Sequence, residues 1–218
     1  MAEMTLFGTV QIVDNVPRAF VRLLAQEGPK SIALSGGETA EECYAAVQAT
    51  GPDWSDIDVY FGDERFVEAS DPDSNEGMAR RVLLDAARPR SIHPMYQPVP
   101  IEEAALRYDK LILAAPPIDV VHLGLGPDGH TASLFPGSPT LDEADRFVVT
   151  AADEDHPRPR LTFTLPAIAR ARLVVVTVAG VEKRDAVDRI RAGEDLPGAR
   201  IRCERVVWLG DRAAMGAQ

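Results

Sequence analysis

Short apolar runs recur along the chain and predict the strands of a sheet. The main runs are Gln11–Val13, Ser31–Leu34, Ile57–Phe61, Ile118–Leu123, Leu173–Val178 and Val206–Leu209. Two weaker runs, Phe147–Thr150 and Leu161–Thr164, predict further strands. Several of the main runs are almost solidly apolar, which is typical of parallel strands that are buried on both faces of a sheet.

Stretches of helical periodicity separate these runs. The predicted helices begin after Asp14 or Asn15, after Gly37, and after Asp73 or Ser74 as far as about Ala87, and two more span Ile101–Leu113 and Val181–Ala192. Within the third helix, Met78, Val82 and Leu83 are expected to point inward. The alternation of strand and helix predicts an α/β fold with an open, mainly parallel sheet and helices on both faces.

Two segments interrupt the alternation without marking a second domain. Pro89–Pro100 contains four prolines, which predict irregular chain with a short strand near Ile92, and Asp153–Arg160 is expected to be a loop. No repeat or change in composition divides the 218 residues. We therefore predict a single domain over residues 1–218.

The chain is acidic, with 34 Asp and Glu residues against 23 Lys and Arg residues and a formal net charge of −11. This balance argues against nucleic acid as a partner, because phosphate backbones bind basic surfaces. The chain start lacks the pattern of a signal peptide, and no apolar run is long enough to cross a membrane. We expect a cytoplasmic protein without a membrane partner, and we favour a monomer. Cys43 and Cys203 match no metal spacing and are expected to be small buried residues.

Ser35-Gly36-Gly37 joins a predicted strand to a predicted helix. Ligands of open α/β sheets bind at the carboxyl ends of the strands, where this turn lies. Two glycines let backbone N–H groups converge on an anion, and the helix N-terminus behind them favours negative charge. The alternative is an ordinary tight turn, which is the better interpretation of a Gly-Gly pair taken alone.

Asp63 and Arg65 follow the predicted strand Ile57–Phe61. A carboxylate and a guanidinium at this edge can serve a binding site, and Arg suits bidentate contact with phosphate. A surface ion pair within a loop is an equally good interpretation. Ser74 and Asn75 follow in the next loop, where Ser74 is better explained as a helix cap.

The segment from Gly124 to Gly137 is the most informative of the sequence. Its glycines surround Pro127 and Asp128, so the turn presents Asp128 and His130 at the mouth of the sheet. A nearby carboxylate can orient a histidine, and an imidazole, which titrates at about pH 6.5 in water, suits proton transfer in both directions. A purely structural histidine is a weaker interpretation here, because His130 follows a constrained turn.

The remaining candidates are weaker. His122 lies inside a predicted buried strand and is expected to be a core residue, His93 lies in irregular chain, and His156 is expected to be exposed in a loop. Lys183 lies in the first turn of a helix, where the helix dipole disfavours a cation, so its position hints at a bound anion. Arg160 is either a ligand of the same anion or a solvent-facing side chain.

Taken together, these motifs resemble the 6-phosphogluconolactonase family, which is related to the glucosamine-6-phosphate deaminases. The motifs occur in the family's order and are Ser35-Gly36-Gly37, Asp63-Glu64-Arg65, Ser74-Asn75, the run Gly124–Gly137, Pro159-Arg160-Leu161-Thr162, and Gly180 with Lys183. The resemblance implies a Rossmann-like α/β fold and no metal or organic cofactor. It also implies hydrolysis of 6-phospho-D-glucono-1,5-lactone to 6-phosphogluconate in the pentose phosphate pathway.

The resemblance also implies roles for individual residues. His130 is expected to be the general base that activates water, with Asp128 as the second catalytic residue. Arg65 and Lys183 are expected to bind the phosphate, and N–H groups of the Gly126–Gly129 turn are candidate donors to the oxyanion. The residues expected to contact the substrate are Ser35, Gly36, Gly37, Asp63, Arg65, Asn75, Gly129, Arg160 and Lys183.

The sequence departs from the family at Glu38, which replaces a small hydroxyl residue and leaves only backbone groups to serve the phosphate there. Two alternatives to a lactonase are a glucosamine-6-phosphate deaminase or isomerase and a non-catalytic sugar-phosphate sensor. Deaminases carry a glutamate at the position of Phe135 and tend to have an aromatic residue at that of Arg65, which argues against the first. The acidic charge and the lack of room for a helix-turn-helix before the first strand argue against the second.

Overall fold

A computed structural model of the protein describes residues 6–152 and 158–216. Its strands are β1 (Thr9–Ile12), β2 (Ser31–Leu34), β3 (Asp58–Phe61), β4 (Asp63–Arg65), β5 (Ser91–Ile92), β6 (Val120–Gly124), β7 (Val148–Ala151), β8 (Arg160–Phe163), β9 (Leu173–Val178) and β10 (Val206–Gly210). The large sheet has the order β1-β10-β9-β6-β2-β3-β5, and all its neighbouring strands run parallel. The predicted α/β fold with an open, mainly parallel sheet is confirmed.

The most apolar runs occupy the middle of the large sheet. Every residue of β9 is buried, as expected of a strand that is covered on both faces and flanked by β10 and β6. At the sheet's edge, β1 pairs with β10, so segments from opposite ends of the chain meet in one sheet. This pairing supports a single domain over residues 1–218, which stays a prediction.

A second, smaller sheet is antiparallel and has the order β4-β8-β7. The sequence predicted β7 and β8 approximately but not their pairing, and it did not predict β4. Gly62 connects the two sheets, because its N–H donates to Leu34 O of β2 at 2.8 Å while its carbonyl accepts from Phe163 N of β8 at 2.7 Å. The chain therefore leaves the large sheet and enters the small one within a single residue.

The α-helices are α1 (Val16–Glu27), α2 (Glu38–Gln48), α3 (Asn75–Ala79), α4 (Asp85–Ala87), α5 (Ile101–Ala114), α6 (Leu165–Ala169), α7 (Arg184–Arg191) and α8 (Arg212–Met215). Side-chain caps set two of the predicted starts. Asn15 Oδ1 accepts from Arg18 N at 2.7 Å, and Ser74 Oγ accepts from Gly77 N at 3.0 Å. Helices of residues 6–152 and 158–216 are all too short or too polar to cross a membrane.

A π-helical turn, Arg80–Leu84, lies between α3 and α4 inside the helix that was predicted as one regular segment. A π turn is wider than an α turn and shifts the side chains that follow it around the helix. Leu83 and Leu84 are buried as a result, whereas Val82, which we expected to point inward, is only partly buried.

Candidate active site

A cleft of about 170 Å³ lies at the carboxyl ends of the central strands of the large sheet. The predicted substrate or catalytic residues that line it are Ser35, Gly36, Gly37, Asp63, Arg65, Asn75, His130, Arg160 and Lys183. Leu125, Pro127 and Ala132 line it as well. Two predicted site residues, Asp128 and Gly129, do not line the cleft and belong instead to the turn that carries His130.

Backbone hydrogen bonds close the turn between Gly124 and His130. Gly126 N donates to His130 O at 2.8 Å, and Gly129 N donates to Gly126 O at 3.0 Å. A Cβ on Gly126 would lie 2.1 Å from His130 Nδ1, and Gly129 has a φ of +89°, so both positions require glycine. The expectation that these two N–H groups serve an oxyanion is wrong, because both already donate within the turn.

Asp128 is the carboxylate that orients His130. Its Oδ1 lies 2.6 Å from His130 Nδ1 and also accepts from His130 N at 3.1 Å. Burial alone would raise the pKa of Asp128, but the hydrogen bond and charge of His130 outweigh it and hold that pKa at about 2. A carboxylate bound to Nδ1 keeps the proton of a neutral imidazole on that nitrogen and leaves the lone pair on Nε2. The pair has the geometry of a general base with its orienting group.

Asp63, which lines the cleft itself, has different partners from Asp128. Its Oδ2 accepts from Ser133 Oγ at 2.7 Å, and its backbone carbonyl accepts from Asn75 Nδ2 at 2.9 Å. The same Asn75 side chain packs against the glycine turn, because a Cβ on Gly36 would lie 1.9 Å from Asn75 Oδ1. Asp63 and Asn75 therefore link β4 to the wall of the cleft.

Arg65 and Arg160 place two guanidinium groups side by side at the cleft, since they are register partners of β4 and β8. The Nε of each is buried without a hydrogen-bond partner among the described residues. Burial and then the charge of Arg65 lower the pKa of Arg160. Two adjacent cations of this kind are electrostatically unfavourable alone and are stabilised by an anion between or beside them.

Lys183 adds a third positive charge to the lining of the cleft. It ends a short 3-10 turn, Val181–Lys183, that precedes α7, so it lies at a helix start as predicted. Lys183 also lines an adjoining cavity of about 110 Å³ together with Glu38 and Glu182. Glu38 is exposed and does not line the main cleft, so its carboxylate does not replace the backbone N–H groups there.

Phe135 packs against both His130 and Arg160. Its ring centroid lies 5.1 Å from that of His130, and the guanidinium of Arg160 lies 5.6 Å from the same ring. The side chain is buried. An apolar ring therefore packs beside His130 at the position where the deaminases are expected to carry a carboxylate.

Glu64 is a supporting residue that sequence reasoning did not single out. It is buried and accepts from Arg65 N, Asn75 N, Glu76 N and Ser74 Oγ at 2.7 to 3.0 Å. Burial raises its pKa to about 7, although these donors pull the pKa down. The carboxylate joins the start of α3 to β4 and so places Arg65 and Asn75. The only sequence signal is its position between Asp63 and Arg65, because its other donors come from a later segment.

The other histidines lie away from the cleft or outside the described residues. His122 is fully buried, which confirms the expected core position. His93 stacks on Tyr60 with ring centroids 4.6 Å apart. His156 and most of the predicted loop Asp153–Arg160 lie outside the described residues. Within residues 6–152 and 158–216, His, Cys, Asp and Glu side chains do not gather into any group of three that could hold a metal ion.

Comparison with known families gives a match over nearly the whole chain. Residues 9–208 match the family model described as glucosamine-6-phosphate isomerases/6-phosphogluconolactonase. A 6-phosphogluconolactonase of Synechocystis sp. is 39% identical over 215 residues, which cover 91% of this chain and 89% of the relative. A 6-phosphogluconolactonase of Mycobacterium tuberculosis is 38% identical over 212 residues and covers 88% of this chain and 86% of its own length.

A solved structure gives the same result for the fold. The crystal structure of a 6-phosphogluconolactonase from Thermotoga maritima superposes with a TM-score of 0.85 at 25% sequence identity. The superposition covers 93% of this chain and 99% of that protein. The similarity therefore extends over the strands and turns that surround the cleft.

Proposed function

The chain belongs to the glucosamine-6-phosphate isomerase/6-phosphogluconolactonase family, and from that premise we propose that it hydrolyses 6-phospho-D-glucono-1,5-lactone to 6-phosphogluconate. The observation that carries the proposal is that His130, Arg65 and Lys183, which are distant in sequence, line one cleft. The reaction needs a base at one end of a substrate whose other end is a phosphate dianion. The cleft offers both in a space of sugar-phosphate size.

The phosphate end binds at Arg65 and Lys183. Arg65 lines the cleft, where its Nη1 donates to Asp73 O at 2.6 Å. The guanidinium carries further N–H donors, which suit the oxygens of a phosphate. The N–H groups of the glycine turn add donors at the start of α2, where no side chain caps the helix. An acidic protein thereby binds an anion through a few placed groups instead of through its overall charge.

The lactone end lies at His130. Because Asp128 holds Nδ1, the Nε2 of His130 accepts a proton from a water molecule as the water oxygen attacks C1. The carbonyl electrons move to the carbonyl oxygen, and the imidazole becomes a cation that Asp128 stabilises. The Arg160 guanidinium, which lines the same cleft, supplies positive charge to the developing oxyanion.

The intermediate then collapses. The oxyanion re-forms the carbonyl, the bond between C1 and the ring oxygen breaks, and His130 returns its proton to that ring oxygen. The products of ring opening are one carboxylic acid and one hydroxyl group on the same molecule, so atoms and charge balance. A positioned base contributes about 10²- to 10⁴-fold, which suits an ester that is already reactive.

The proposal is tested with freshly made 6-phosphogluconolactone. We expect the lactone to disappear faster with the protein than by spontaneous hydrolysis, with or without a chelator. We also expect no ammonia from glucosamine 6-phosphate, because Phe135 stands where a further carboxylate would be needed. Disappearance at the spontaneous rate, or release of ammonia, would contradict the proposed function.

We also propose that the protein acts as a monomer in the cytoplasm. One chain by itself supplies the proposed base and the cations that line the cleft, so the proposed chemistry requires no residue from a second copy. Light scattering of the purified protein is expected to give the mass of one chain. A stable dimer whose dissociation abolishes activity would overturn this part of the proposal.

A further inference from the structure

The hydroxyl of Tyr44 lies inside the protein, directly behind the glycine turn of the cleft. Tyr44 belongs to α2 and is fully buried. Its Oη accepts from Ser35 N at 2.7 Å and donates to Ser35 O at 3.2 Å. One side chain therefore binds both backbone polar groups of Ser35, the residue that begins the turn and lines the cleft.

A buried histidine holds this hydroxyl in place. His122 Nδ1 lies 2.8 Å from Tyr44 Oη, and His122 Nε2 lies 2.9 Å from Thr177 Oγ1. Both His122 and Thr177 are buried, and the ring of Phe20 packs on the imidazole with centroids 4.4 Å apart. Burial lowers the pKa of His122 to about 3, so the ring is neutral and carries one N–H.

Only one arrangement of protons satisfies all four contacts. Thr177 donates its hydroxyl proton to Nε2 of His122, Nδ1–H donates to Tyr44 Oη, and Tyr44 donates to Ser35 O while it accepts from Ser35 N. If the imidazole proton were on Nε2, Tyr44 would have to donate to Nδ1, and Ser35 O would lose this donor. The chain of hydrogen bonds therefore runs in one direction, from β9 through β6 and α2 to the turn.

The turn is also confined on its far side. Asn75 packs so closely against Gly36 that no side chain fits between them. Tyr44 therefore holds the turn by hydrogen bonds to Ser35, and Asn75 limits its movement by packing against Gly36. Gly37 follows with a φ of +93° and begins α2 without a side-chain cap, so the direction of the free N–H groups depends on how Ser35 is held.

We propose that Tyr44, supported by His122 and Thr177, is a positioning residue that sets the place of the glycine-turn N–H groups for the phosphate of the substrate. The inference rests on the proposed function, in which the phosphate end binds at this turn. None of these three side chains lines the cleft that contains His130. Their loss is therefore expected to affect phosphate binding and to leave proton transfer at His130 unchanged.

The test compares two buried tyrosines. Tyr44→Phe removes the hydroxyl and keeps the ring. Tyr108→Phe is the matched control, because Tyr108 is equally buried and its hydroxyl accepts from Phe61 N and donates to His93 O, both at 3.0 Å and neither in the cleft. Steady-state kinetics are measured with 6-phosphogluconolactone and with glucono-1,5-lactone, which has no phosphate.

For Tyr44→Phe we expect a KM for the phosphorylated lactone about five- to tenfold above that of the unchanged protein, which is the effect of one hydrogen bond, with kcat within about twofold. We expect kcat/KM for glucono-1,5-lactone to stay the same, and Tyr108→Phe to leave both substrates unaffected. Equal losses for the two lactones in Tyr44→Phe, an unchanged KM, or the same rise in KM for Tyr108→Phe would each overturn the proposal.

A binding measurement separates this proposal from the proposed function. Calorimetry with 6-phosphogluconate needs no turnover, and we expect about tenfold weaker binding for Tyr44→Phe. Thr177→Val removes the hydroxyl that donates to His122. It is expected to weaken binding about threefold, and it replaces Tyr44→Phe in the test if that variant does not fold. An unchanged Kd in the variants overturns the positioning role. A protein that binds 6-phosphogluconate with these differences but hydrolyses no lactone overturns only the proposed function.

Discussion

The amino ends and the carboxyl ends of the parallel strands differ in whether their basic side chains have carboxylate partners. At the amino ends, basic side chains are paired with carboxylates, and the pairs are Lys30–Asp56, Arg90–Asp58, Arg172–Asp119 and Arg205–Glu27. At the carboxyl ends, Arg65 and Arg160 form no such ion pair among the described residues, and each keeps a buried Nε without a partner. The cations at the amino ends are paired with carboxylates of the protein. At the carboxyl ends, Arg65 Nη1 donates only to a backbone carbonyl, that of Asp73, and neither arginine has a carboxylate partner among the described residues.

Cavity size alone does not identify the functional end. The amino ends border a groove of about 320 Å³, lined in part by Leu24, Lys30 and Trp54, whereas the cleft at the carboxyl ends measures about 170 Å³. The smaller space is lined by His130, which is hydrogen-bonded to Asp128, and by Arg65 and Arg160, which have no carboxylate partner among the described residues. Cations without carboxylate partners next to a hydrogen-bonded aspartate–histidine pair mark the candidate site better than cavity volume does.

The largest expected effect comes from the base. His130→Ala is expected to lower kcat by about 10²- to 10⁴-fold, because His130 is the group proposed to take the proton of the attacking water. His93→Ala serves as the control. His93 lies outside the cleft, so this variant is expected to leave kcat unchanged. A folded His130→Ala protein with near-normal kcat would contradict the assignment of His130 as the general base.

The second effect concerns the interior between the two ends. His122 is neutral with a pKa of about 3, against about 6.5 for the unfolded chain, so its contribution to stability is complete above about pH 6.5 and is lost as pH falls toward 3. At pH 4 the loss is about 3 kcal/mol relative to pH 7. The free energy of unfolding is measured by denaturant titration at pH 4 and pH 7 for the unchanged protein and for His122→Gln. The same pH dependence in the two proteins would show that His122 does not cause the loss.

The third effect separates the two ends directly. Arg65→Ala is expected to raise KM for the phosphorylated lactone about 10- to 100-fold, the loss of a charged hydrogen-bonded contact. Arg90→Ala, at the amino ends, removes a cation that is already paired with Asp58 and is expected to leave KM unchanged. Equal changes in KM for the two variants would break the distinction between paired and unpaired cations.

The smallest effect is expected at the most exposed pair. Lys30 and Asp56 are 67% and 77% exposed, so Lys30→Met is expected to change the free energy of unfolding by less than about 1 kcal/mol and to leave kcat and KM unaltered. Urea unfolding together with the lactonase assay measures both. A loss of activity in Lys30→Met would mean that the amino ends take part in function.

Features encoded within a few neighbouring residues could be predicted from the sequence. The run Leu173–Val178 coincides with β9, and Ser31–Leu34 coincides with β2. The turn before His130 could be predicted because its glycines, its aspartate and its histidine are adjacent in sequence. The convergence of the polar turns on one cleft followed from the rule that parallel strands end at the same edge.

Features that depend on distant partners could not be predicted. The strand β4 exists because it pairs with β8, about a hundred residues later in the chain, and the burial of Glu64 depends on donors from the start of α3. The link between Tyr44 and His122 joins residues 78 positions apart. The π turn at Arg80–Leu84 has no local signal in its sequence that we recognised.

The most direct test of the central claim is a crystal structure of the protein with bound 6-phosphogluconate. We expect the phosphate to contact Arg65 and Lys183 and the carboxylate formed from the lactone carbonyl to lie within hydrogen-bond distance of His130. A phosphate bound away from both cations, or a product bound in the reverse direction with its carboxylate at Arg65 and Lys183, would contradict the proposed binding mode and the role of His130.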